Sequence, residues 1–482
     1  MILIGLDLGT QSLKVMAARE DGTVLAQSAA AYKTVNAAQD PLKEQYAEDW
    51  EAAALTALQD AAAQLRAAGC ADEPAVLAVD GTSGTILPID RTGKPLRTAL
   101  MYNDPRAASV MPKLRPIVAE LEEKLGYKMG ASFALPKILW LKEMEPNVYA
   151  RTAAMVHQAD YIVGLLTGQY QVSDYSNALK TGYDLLDGCW PQAELDALGI
   201  DAALLPRVVR PGDVIAPITR EAAQRTGLSL KTVVAAGATD GYASCVASGA
   251  VHPGQYNTTI GTTMVIKGVS DRFVRDPQGR IYSHKHPEGY WYPGGAGNVG
   301  GLCLNQWFGA ENFARLNAQA AAAVPTGNLI YPLTTKGERF PFLDAEASGF
   351  QLLQNEDEAA RYAGTMEGVA YVERLCYDTM QQLGCPAGGQ IHIAGGAVKS
   401  PEWSQIRANV LGRTLCQPQI VEAAFGSAIL AGTRSLGRTL TGSADAMVRY
   451  VRRFTPDAAL HAEYDALYEK FLRACAERGY IA

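Results

Sequence analysis

The spacing of apolar positions predicts alternating strands and helices from the start of the chain. Three strands come first: Ile2–Leu8, Ser12–Arg19 and Thr23–Tyr32. Turn residues separate them, a Gly-Thr pair in the first gap and Asp-Gly in the second. Residues Glu48–Ala68 carry Ala and Leu at helical spacing and end at Gly69, and Ala75–Val79 is another apolar strand. The order β-β-β-α-β predicts a mixed sheet covered by helices.

The second half of the chain begins in a similar way. Thr232–Ala238 is an apolar strand, and Gly254–Ser270 has the pattern strand, Gly-Thr turn, strand. This repeats the pattern of the N-terminus and indicates a weak internal duplication. Further on, Asn355–Leu383 has the clearest helical periodicity, and Ile391–Ile393 is a short strand. The sequence therefore predicts an α/β protein with two related lobes, residues 1–235 and 236–482.

Composition narrows the class of protein. Of 482 residues, 48% are hydrophobic and 19% charged, which is enough to bury a large core. The net charge of −7 and the absence of a Lys/Arg block argue against nucleic acid or a membrane as the main partner. The eight cysteines have no metal-ligand spacing and are typical of buried residues in a reducing compartment. With no signal-peptide pattern at the N-terminus and no long apolar run, we expect a cytoplasmic protein.

Two Gly-Thr hairpins are candidates for phosphate binding. Glycine lets the backbone approach a phosphate closely, and the hydroxyls and N–H groups of Asp7–Ser12 and Thr258–Thr263 can converge on it. A carboxylate at the end of a strand, such as Asp7, can hold Mg²⁺ through water. Each hairpin alone is also typical of an ordinary β-turn. Their matching positions in the two halves favour the functional interpretation.

Three further segments allow a functional and a structural interpretation. Asp240 follows an apolar strand and can be a helix N-cap or a general base. The segment Ala394–Trp403 can cradle adenine and ribose, or it can be a βα-turn with its tryptophan in the core. Gly295–Gly300 matches G-x-G-x-x-G, but the stretch about 20 residues on, Ala318–Val324, is Ala-rich and lacks the acidic residue of a dinucleotide site.

In this order, the segments resemble the FGGY family of carbohydrate kinases, part of the group of actin, hexokinase and heat-shock ATPases. The resemblance covers nearly the whole chain and departs from the family pattern at Ala134 and Met144. It rests on GLDLGTQSLK (Gly5–Lys14), PKILWLKE (Pro136–Glu143), GATDG (Gly237–Gly241), TTIGTT (Thr258–Thr263), GERFPF (Gly337–Phe342), EGVAY (Glu367–Tyr371) and GGAVKSPEW (Gly395–Trp403). It implies two ribonuclease H-like lobes with mixed sheets flanked by helices, and an active-site cleft between them.

The resemblance also implies a role for each motif. Asp240 would be the catalytic base, and Asp7 would bind Mg²⁺. ATP would be bound by Gly9, Thr10, Gln11, Ser12, Gly261, Thr262, Thr263, Gly395, Gly396, Ala397, Ser400 and Trp403. The sugar would contact Asp80, Ser83, Gly84, Asn103, Asp104 and Asp240. Asp104 is expected to clamp two hydroxyls, because an ionised carboxylate has two acceptor oxygens.

The segment Asp80–Thr85 bears on the substrate. Bacterial xylulose kinases usually show Gln-Met-His-Gly there, whereas this chain has Ser83-Gly84-Thr85. Together with YNDPRA, HQADY, NALKTGYD and YSH, the segment resembles the compact D-ribulose kinase branch of cyanobacteria and plants. The expected reaction is the ATP-dependent conversion of D-ribulose to D-ribulose 5-phosphate, by a monomer or homodimer.

Alternatives remain at this stage. One is a kinase of D-xylulose or of another pentulose or polyol. A degenerate kinase that binds sugar without turnover is disfavoured by the intact Asp7 and Asp240. A heat-shock-like, ATP-driven interaction protein would normally need an appended partner-binding domain, for which we expect no room after the second lobe.

Overall fold

A computed structural model describes residues 1–35, 41–386 and 388–481, which fall into two units. The first unit contains Met1–Val251, His284–Gly289 and Ile420–Arg449. The second contains His252–Ser283, Tyr290–Gln419 and the segment from Tyr450 onward. Both units are discontinuous in sequence, a feature that the predicted lobes 1–235 and 236–482 do not include. That boundary stays a prediction.

Residues 1–251 alternate between strands and helices as the apolar pattern predicts. The strands are β1 (Ile2–Leu8), β2 (Ser12–Arg19), β3 (Val24–Ala31), β4 (Glu44–Gln45), β5 (Ala75–Gly81), β6 (Ile86–Ile89), β7 (Ala99–Leu100), β8 (Ala154–His157), β9 (Val172–Asp174), β10 (Arg207–Val209), β11 (Val214–Pro217) and β12 (Thr232–Thr239). The helices are α1 (Ala47–Ala67), α2 (Met111–Leu125), α3 (Ala134–Met144), α4 (Pro146–Arg151), α5 (Gln158–Thr167), α6 (Tyr175–Ala178), α7 (Gln192–Leu198), α8 (Arg220–Thr226) and α9 (Asp240–Ala247). The first strands and the first long helix are confirmed to within two residues.

The remainder of the chain follows the same alternation. Its strands are β13 (Tyr256–Ile260), β14 (Met264–Gly268), β15 (Ile281–Lys285), β16 (Trp291–Gly297), β17 (Leu329–Tyr331), β18 (Phe350–Leu352), β19 (Ile391–Ala394), β20 (Leu415–Pro418) and β21 (Tyr450–Phe454). Its helices are α10 (Leu302–Phe308), α11 (Phe313–Ala323), α12 (Glu358–Gln382), α13 (Pro401–Leu411), α14 (Ala423–Ala431), α15 (Leu440–Met447) and α16 (Ala458–Ala476). The predicted helix Asn355–Leu383 begins later, as α12, because the Asp357 side chain accepts a hydrogen bond from the Ala359 N–H and caps it.

The main sheet has the same core arrangement in each unit. In the first unit the order is β11-β12-β5-β1-β2-β3, with β1 antiparallel to β2 and parallel to β5. In the second it is β15-β16-β14-β13-β19-β20-β21, with β13 antiparallel to β14 and parallel to β19. Five strands of each sheet correspond: β1, β2, β3, β5 and β12 in the first, and β13, β14, β16, β19 and β20 in the second. Numbered 1 to 5 in chain order, both sets lie in the sheet in the order 3-2-1-4-5. The predicted α/β fold with two ribonuclease H-like sheets is confirmed.

Helix α14 packs directly on the strands of the first unit, although it lies late in the chain. A Cβ built on Gly5 would lie 1.8 Å from the Ala424 carbonyl oxygen, and one on Gly426 would lie 1.9 Å from that of Ala243. Glycine is therefore required where α14 meets β1 and α9, because any side chain would collide with backbone. This contact brings residues of the 420–449 segment to the carboxyl ends of the strands. Among the described residues, no helix has the length and apolar character needed to cross a membrane.

Candidate active site

Three aspartates stand at the carboxyl ends of three neighbouring parallel strands of the first unit. Asp7 on β1 is paired in register with Asp80 on β5, and β12, the next strand, ends at Thr239, directly before Asp240. The carboxyl edge of a parallel sheet is where α/β proteins usually place their ligands. The structure thus brings together the predicted metal ligand, the predicted base and Asp80.

Burial dominates the electrostatics of Asp7 and Asp80. Asp80 has no exposed surface, and its Oδ2 accepts a hydrogen bond of 2.6 Å from the Ser427 hydroxyl on α14. Burial raises the pKa of the Asp80 carboxyl well above its usual range, and the nearby charges of Asp7 and Asp240 raise it further. Burial also raises the pKa of Asp7, although its hydrogen bond to Asp80 and the charge of Lys14 partly offset this. Two such carboxyl groups in contact must share a proton or face a cation.

The donor set at these strand ends fits Mg²⁺ bound to phosphates. Mg²⁺ is usually held by one or two carboxylates together with phosphate oxygens and water. Asp7 is the partly exposed member of the pair, and Asp80 lies behind it. Among the described residues no group of three or more His, Cys, Asp or Glu side chains forms a metal cage. Asp7 is therefore the carboxylate at these strand ends that would face such an ion.

Asp240 is the first residue of α9 and is half-buried. Thr239, and not Asp240, occupies the N-cap position, so the predicted alternative of Asp240 as the helix cap is wrong. The Asp240 Oδ1 accepts a hydrogen bond of 2.6 Å from the Gly241 N–H. This hydrogen bond orients the carboxylate, and a general base must be held within reach of the proton that it accepts.

The first Gly-Thr hairpin is fixed by one hydrogen bond within the turn and by two from residues outside it. The Gly9 N–H donates to Ser12 O at 3.0 Å, and the Tyr32 hydroxyl donates to Gly9 O at 2.5 Å. Gln45 Nε2 donates to Thr10 O at 2.7 Å. Gln11 is exposed, and Gly9, Thr10 and Ser12 are half-buried. The turn that follows Asp7 is thus tied to Tyr32 and Gln45 by hydrogen bonds.

The segment proposed to contact the sugar packs against the residues before α3. Gly84 has φ +88°, and a Cβ there would lie 2.3 Å from the Ser132 carbonyl oxygen, so only glycine fits. The buried Lys137 Nζ donates to Ala131 O at 2.9 Å and to Phe133 O at 3.1 Å. Burial lowers the pKa of Lys137 to about 7. The Ser83 hydroxyl is buried and has no hydrogen-bond partner among the described residues, so its hydrogen-bonding capacity is unused.

His157 and Gln158 are hydrogen-bonded to the segment Asp80–Thr85. Gln158 Oε1 accepts hydrogen bonds from the Thr82 N–H (3.0 Å) and hydroxyl (2.8 Å). His157 lies 3.2 Å from Thr85 O through Nδ1 and 2.9 Å from the Thr181 hydroxyl through Nε2. Burial lowers the pKa of His157 to about 4, so it is neutral near pH 7. These residues fix the backbone on which Ser83 stands.

Two predicted sugar ligands have other partners in the structure. Each oxygen of the buried Asp104 carboxylate already accepts two hydrogen bonds. Oδ1 accepts from the N–H and Nε of Arg106, and Oδ2 accepts from the Lys43 N–H and from Arg106 Nη2. Although burial opposes ionisation, these donors hold the pKa of Asp104 below its ordinary value. Asp104 therefore has no open acceptor pair for the expected two-hydroxyl clamp and instead fixes its loop. Asp80 has no exposed surface for direct sugar contact, whereas Asn103 is exposed.

The second unit contains a cavity of about 520 Å³ at the ends of β13 and β19. Six predicted nucleotide-binding residues line it: Gly261, Thr262, Gly396, Ala397, Ser400 and Trp403. Thr263 and Gly395 do not line it. The volume is typical of a small-molecule site, which spans roughly 300–1,000 Å³. The predicted second phosphate hairpin and the predicted adenosine segment are thus two walls of one pocket.

Close backbone packing explains the glycines around this cavity. A Cβ on Gly300 would lie 2.5 Å from Thr262 O, so the last glycine of the G-x-G-x-x-G match is needed to seat the 261–263 turn. Gly395 has φ +86°, and a Cβ there would lie 2.4 Å from Ile260 O. Gly396 differs, since a Cβ would meet no atom within 4 Å. Its missing side chain leaves room in the cavity itself.

Trp403, the aromatic residue of the predicted adenosine segment, is almost fully buried in the hydrophobic core. Trp403 is 4% exposed, and its Nε1 donates to Met366 O at 3.1 Å. Both predicted alternatives therefore hold in part, because Trp403 belongs to the hydrophobic core and also lines the cavity. The Ser400 hydroxyl caps α13 by accepting a hydrogen bond from the Trp403 N–H. This cap sets the wall of the cavity at the start of the helix.

Sequence reasoning missed several residues of these sites. Ser427 carries no local signal, because only the packing of α14 on β1 brings it to Asp80. The remaining lining of the cavity includes Leu302, Asn305, Phe313, Asn317, Tyr362, Met366 and Lys399. The Gly300-Gly301 pair was a usable signal for this wall, since it begins the turn into α10 beside Gly261.

Comparison with known proteins identifies the family. The sequence matches the FGGY family of carbohydrate kinases in two stretches, the N-terminal domain over residues 2–247 and the C-terminal domain over residues 256–435. These stretches cover most of the chain.

Named relatives extend the comparison over the whole length. Xylulose kinase from Bacillus subtilis is 26% identical over 490 residues, which cover 97% of this chain and 95% of the relative. Autoinducer-2 kinase from Klebsiella pneumoniae is 28% identical over 514 residues, covering 99% and 94%. The crystal structure of xylulose kinase from Rhodospirillum rubrum is 27% identical with a TM-score of 0.87, and 99% of each chain is covered.

Proposed function

We propose that this chain, which belongs to the FGGY family of carbohydrate kinases, transfers the γ-phosphate of ATP to a hydroxyl of a ketopentose. The observation that carries the proposal is the row of Asp7, Asp80 and Asp240 at the ends of adjacent parallel strands. ATP binding is supported by the cavity of the second unit, whose walls are the second Gly-Thr hairpin and the segment 396–403.

Each residue has a defined part in the proposed reaction. Asp240 accepts the proton of the attacking hydroxyl, and the Gly241 N–H keeps its carboxylate oriented. Asp7 is the residue that would hold Mg²⁺, which supplies charge neutralisation at the phosphates when it is bound. Asp80, which accepts a hydrogen bond from Ser427, interacts with Asp7 and helps to orient it. The two Gly-Thr turns would position the phosphates through backbone N–H groups and hydroxyls.

The relatives favour D-xylulose as the sugar. Two of the three named above are xylulose kinases, and the third is an autoinducer-2 kinase. D-Ribulose remains a second candidate because of Ser83, whose small hydroxyl occupies the segment where xylulose kinases usually carry Gln-Met-His-Gly. D-Xylulose and D-ribulose differ at one hydroxyl centre, and a polar group placed to bond one hydroxyl rejects the sugar that misplaces it.

A substrate screen tests the proposal. ADP release from ATP and Mg²⁺ is measured with D-xylulose, D-ribulose, L-ribulose, ribitol or glycerol, and kcat/KM is compared across them. We expect a ketopentose to give the highest value. A preference for glycerol or ribitol would contradict the ketopentose assignment and leave the kinase assignment standing. ATP turnover that no sugar stimulates would contradict both and favour an ATP-driven interaction protein.

A further inference from the structure

Besides the cavity of the second unit, the structure has a cavity of about 450 Å³ in the first unit. The proposed reaction does not use it. Its walls come from the start of α6, the residues after α6, the end of β10 and the segment 285–289. It shares no lining residue with the predicted sugar, metal or nucleotide ligands. Its volume lies within the range of about 300–1,000 Å³ that is usual for small-molecule sites.

The lining combines cationic side chains with aromatic rings. Arg210 and Lys285 line the cavity, and Asp213 is the only carboxylate among its lining residues. Asp213 is already paired with two arginines, since its Oδ1 lies 2.7 Å from Arg434 Nε and its Oδ2 lies 3.3 Å from Arg210 Nε. One carboxylate between two guanidinium groups leaves an excess of positive charge on this side. Arginine and lysine are the residues that most often bind phosphate groups.

A buried hydroxyl also lacks a partner at this cavity. Tyr175 lines the cavity and is 6% exposed, and its hydroxyl has no hydrogen-bond partner among the described residues. A buried hydroxyl without a partner is costly. Because this oxygen is shielded from solvent, a ligand oxygen would reach it only after the Tyr175 ring moves. The ring of Tyr183 lines the same cavity and offers a flat surface to a sugar.

We propose that this cavity binds a small phosphorylated sugar, with its phosphate at Arg210 and Lys285 and its hydroxyls at the tyrosines. Its source is either the product of the proposed reaction or another sugar phosphate. The cavity would then be a regulatory site separate from the sugar site.

Two walls of the cavity are hydrogen-bonded to β12 and α9, the strand and the helix that meet at Asp240, the proposed base. The Ser176 hydroxyl, next to Tyr175, accepts a hydrogen bond of 2.9 Å from the N–H of Thr239, which precedes Asp240. The Tyr242 hydroxyl, on α9, donates to Lys285 O at 3.3 Å. A ligand that shifts Tyr175 or Lys285 therefore acts on residues that precede and follow Asp240 in the chain, Thr239 and Tyr242. We expect occupancy to change kcat more than the sugar KM.

Binding is tested first, because it does not depend on the proposed kinase activity. D-Ribose 5-phosphate is titrated into the wild type while thermal unfolding and heat of binding are followed, with and without saturating sugar substrate. Arg210→Ala and Lys285→Met are compared with Arg207→Ala. Arg207 is an exposed arginine on β10, the strand that ends just before Arg210, and it does not line the cavity. We expect a dose-dependent rise in Tm in the wild type and in Arg207→Ala, and at least about tenfold weaker binding in the other two variants.

Three results would overturn the proposal. The first is no binding of D-ribose 5-phosphate at millimolar concentration, and the second is equal binding by Arg210→Ala, Lys285→Met and the wild type. The third is inorganic phosphate binding as tightly as the sugar phosphate, since the tyrosines would then contribute nothing. In the kinetic arm, which rests on the proposed function, purely competitive inhibition against the sugar would place the ligand in the sugar site instead. Comparison of the isolated reaction product with D-ribose 5-phosphate distinguishes the two sources of the ligand.

Discussion

Replacing Gly396 with leucine should weaken ATP binding without disturbing the fold. Gly396 lines the cavity of the second unit, and a Cβ built on it meets no atom within 4 Å. It is not among the glycines with positive φ, so a side chain adds no backbone strain. The four carbons of leucine therefore enter the space that we assign to the nucleotide.

The expected size of the effect follows from the atoms displaced. For ligands of this size each non-hydrogen atom contributes roughly 0.3 kcal/mol of binding free energy. Loss of about four such contacts costs about 1.2 kcal/mol, which corresponds to an approximately sevenfold rise in the ATP KM. Gly396→Ala, which adds one carbon, should raise it less than twofold on the same basis. The sugar KM should be unchanged in both variants.

The assay is steady-state kinetics with ATP varied at saturating sugar, together with Tm by thermal unfolding. Gly395→Leu is the matched control, because its φ of +86° and the Ile260 carbonyl at 2.4 Å forbid a side chain there. It should lower Tm markedly, whereas Gly396→Leu should not. An unchanged ATP KM in a fully folded Gly396→Leu protein would refute the assignment of the cavity to ATP.

Three further variants test other parts of the account. Asp7→Ala should raise the Mg²⁺ concentration needed for half-maximal activity and leave sugar binding intact; an identical Mg²⁺ titration would count against a metal role. Ser83→Ala should raise the sugar KM about fivefold, the worth of one hydrogen bond near 1 kcal/mol, without changing the ATP KM. Because burial lowers the pKa of His157 to about 4, the unfolded chain binds more protons between about pH 6.5 and pH 4, and stability falls as the pH drops through that window. His157→Gln should flatten this acid limb in urea unfolding, and a limb as steep as that of the wild type would disprove the assignment.

Local patterns were sufficient to predict most of the fold. The strand β1, the hairpin turn and β2 follow from apolar runs separated by Gly-Thr, and their bounds agree with the prediction. The helix α12 was also predicted, but its start was not, because the Asp357 cap and not the apolar spacing decides where it begins. The position of α14 could not be predicted, since it depends on Gly5 and Gly426 admitting close backbone contact across the chain.

The same distinction between local pattern and long-range contact applies to the residues of the candidate site. Asp7 and Asp240 were recognisable because each stands at the end of an apolar strand, so the sequence pattern alone places them at the carboxyl edge of a sheet. The structural roles of Asp80 and Asp104 could not be predicted, because they depend on partners distant in sequence. Asp80 is bonded by Ser427, and Asp104 is bonded by the Lys43 N–H. A carboxylate beside a ligand segment can serve the ligand or the loop. Only the count of its hydrogen bonds distinguishes these roles.

The measurement that most directly tests the central claim is identification of the reaction product in the wild type and in Asp240→Asn. Purified protein is incubated with ATP, Mg²⁺ and D-xylulose or D-ribulose, and the product is followed by phosphorus NMR and mass spectrometry. We predict a pentulose phosphate formed in equal amount with ADP by the wild type. Asp240→Asn should form it about 10²–10⁴-fold more slowly, the usual contribution of a general base, while still binding ATP. A wild-type rate in Asp240→Asn, or ADP released without phosphorylated sugar, would contradict the account.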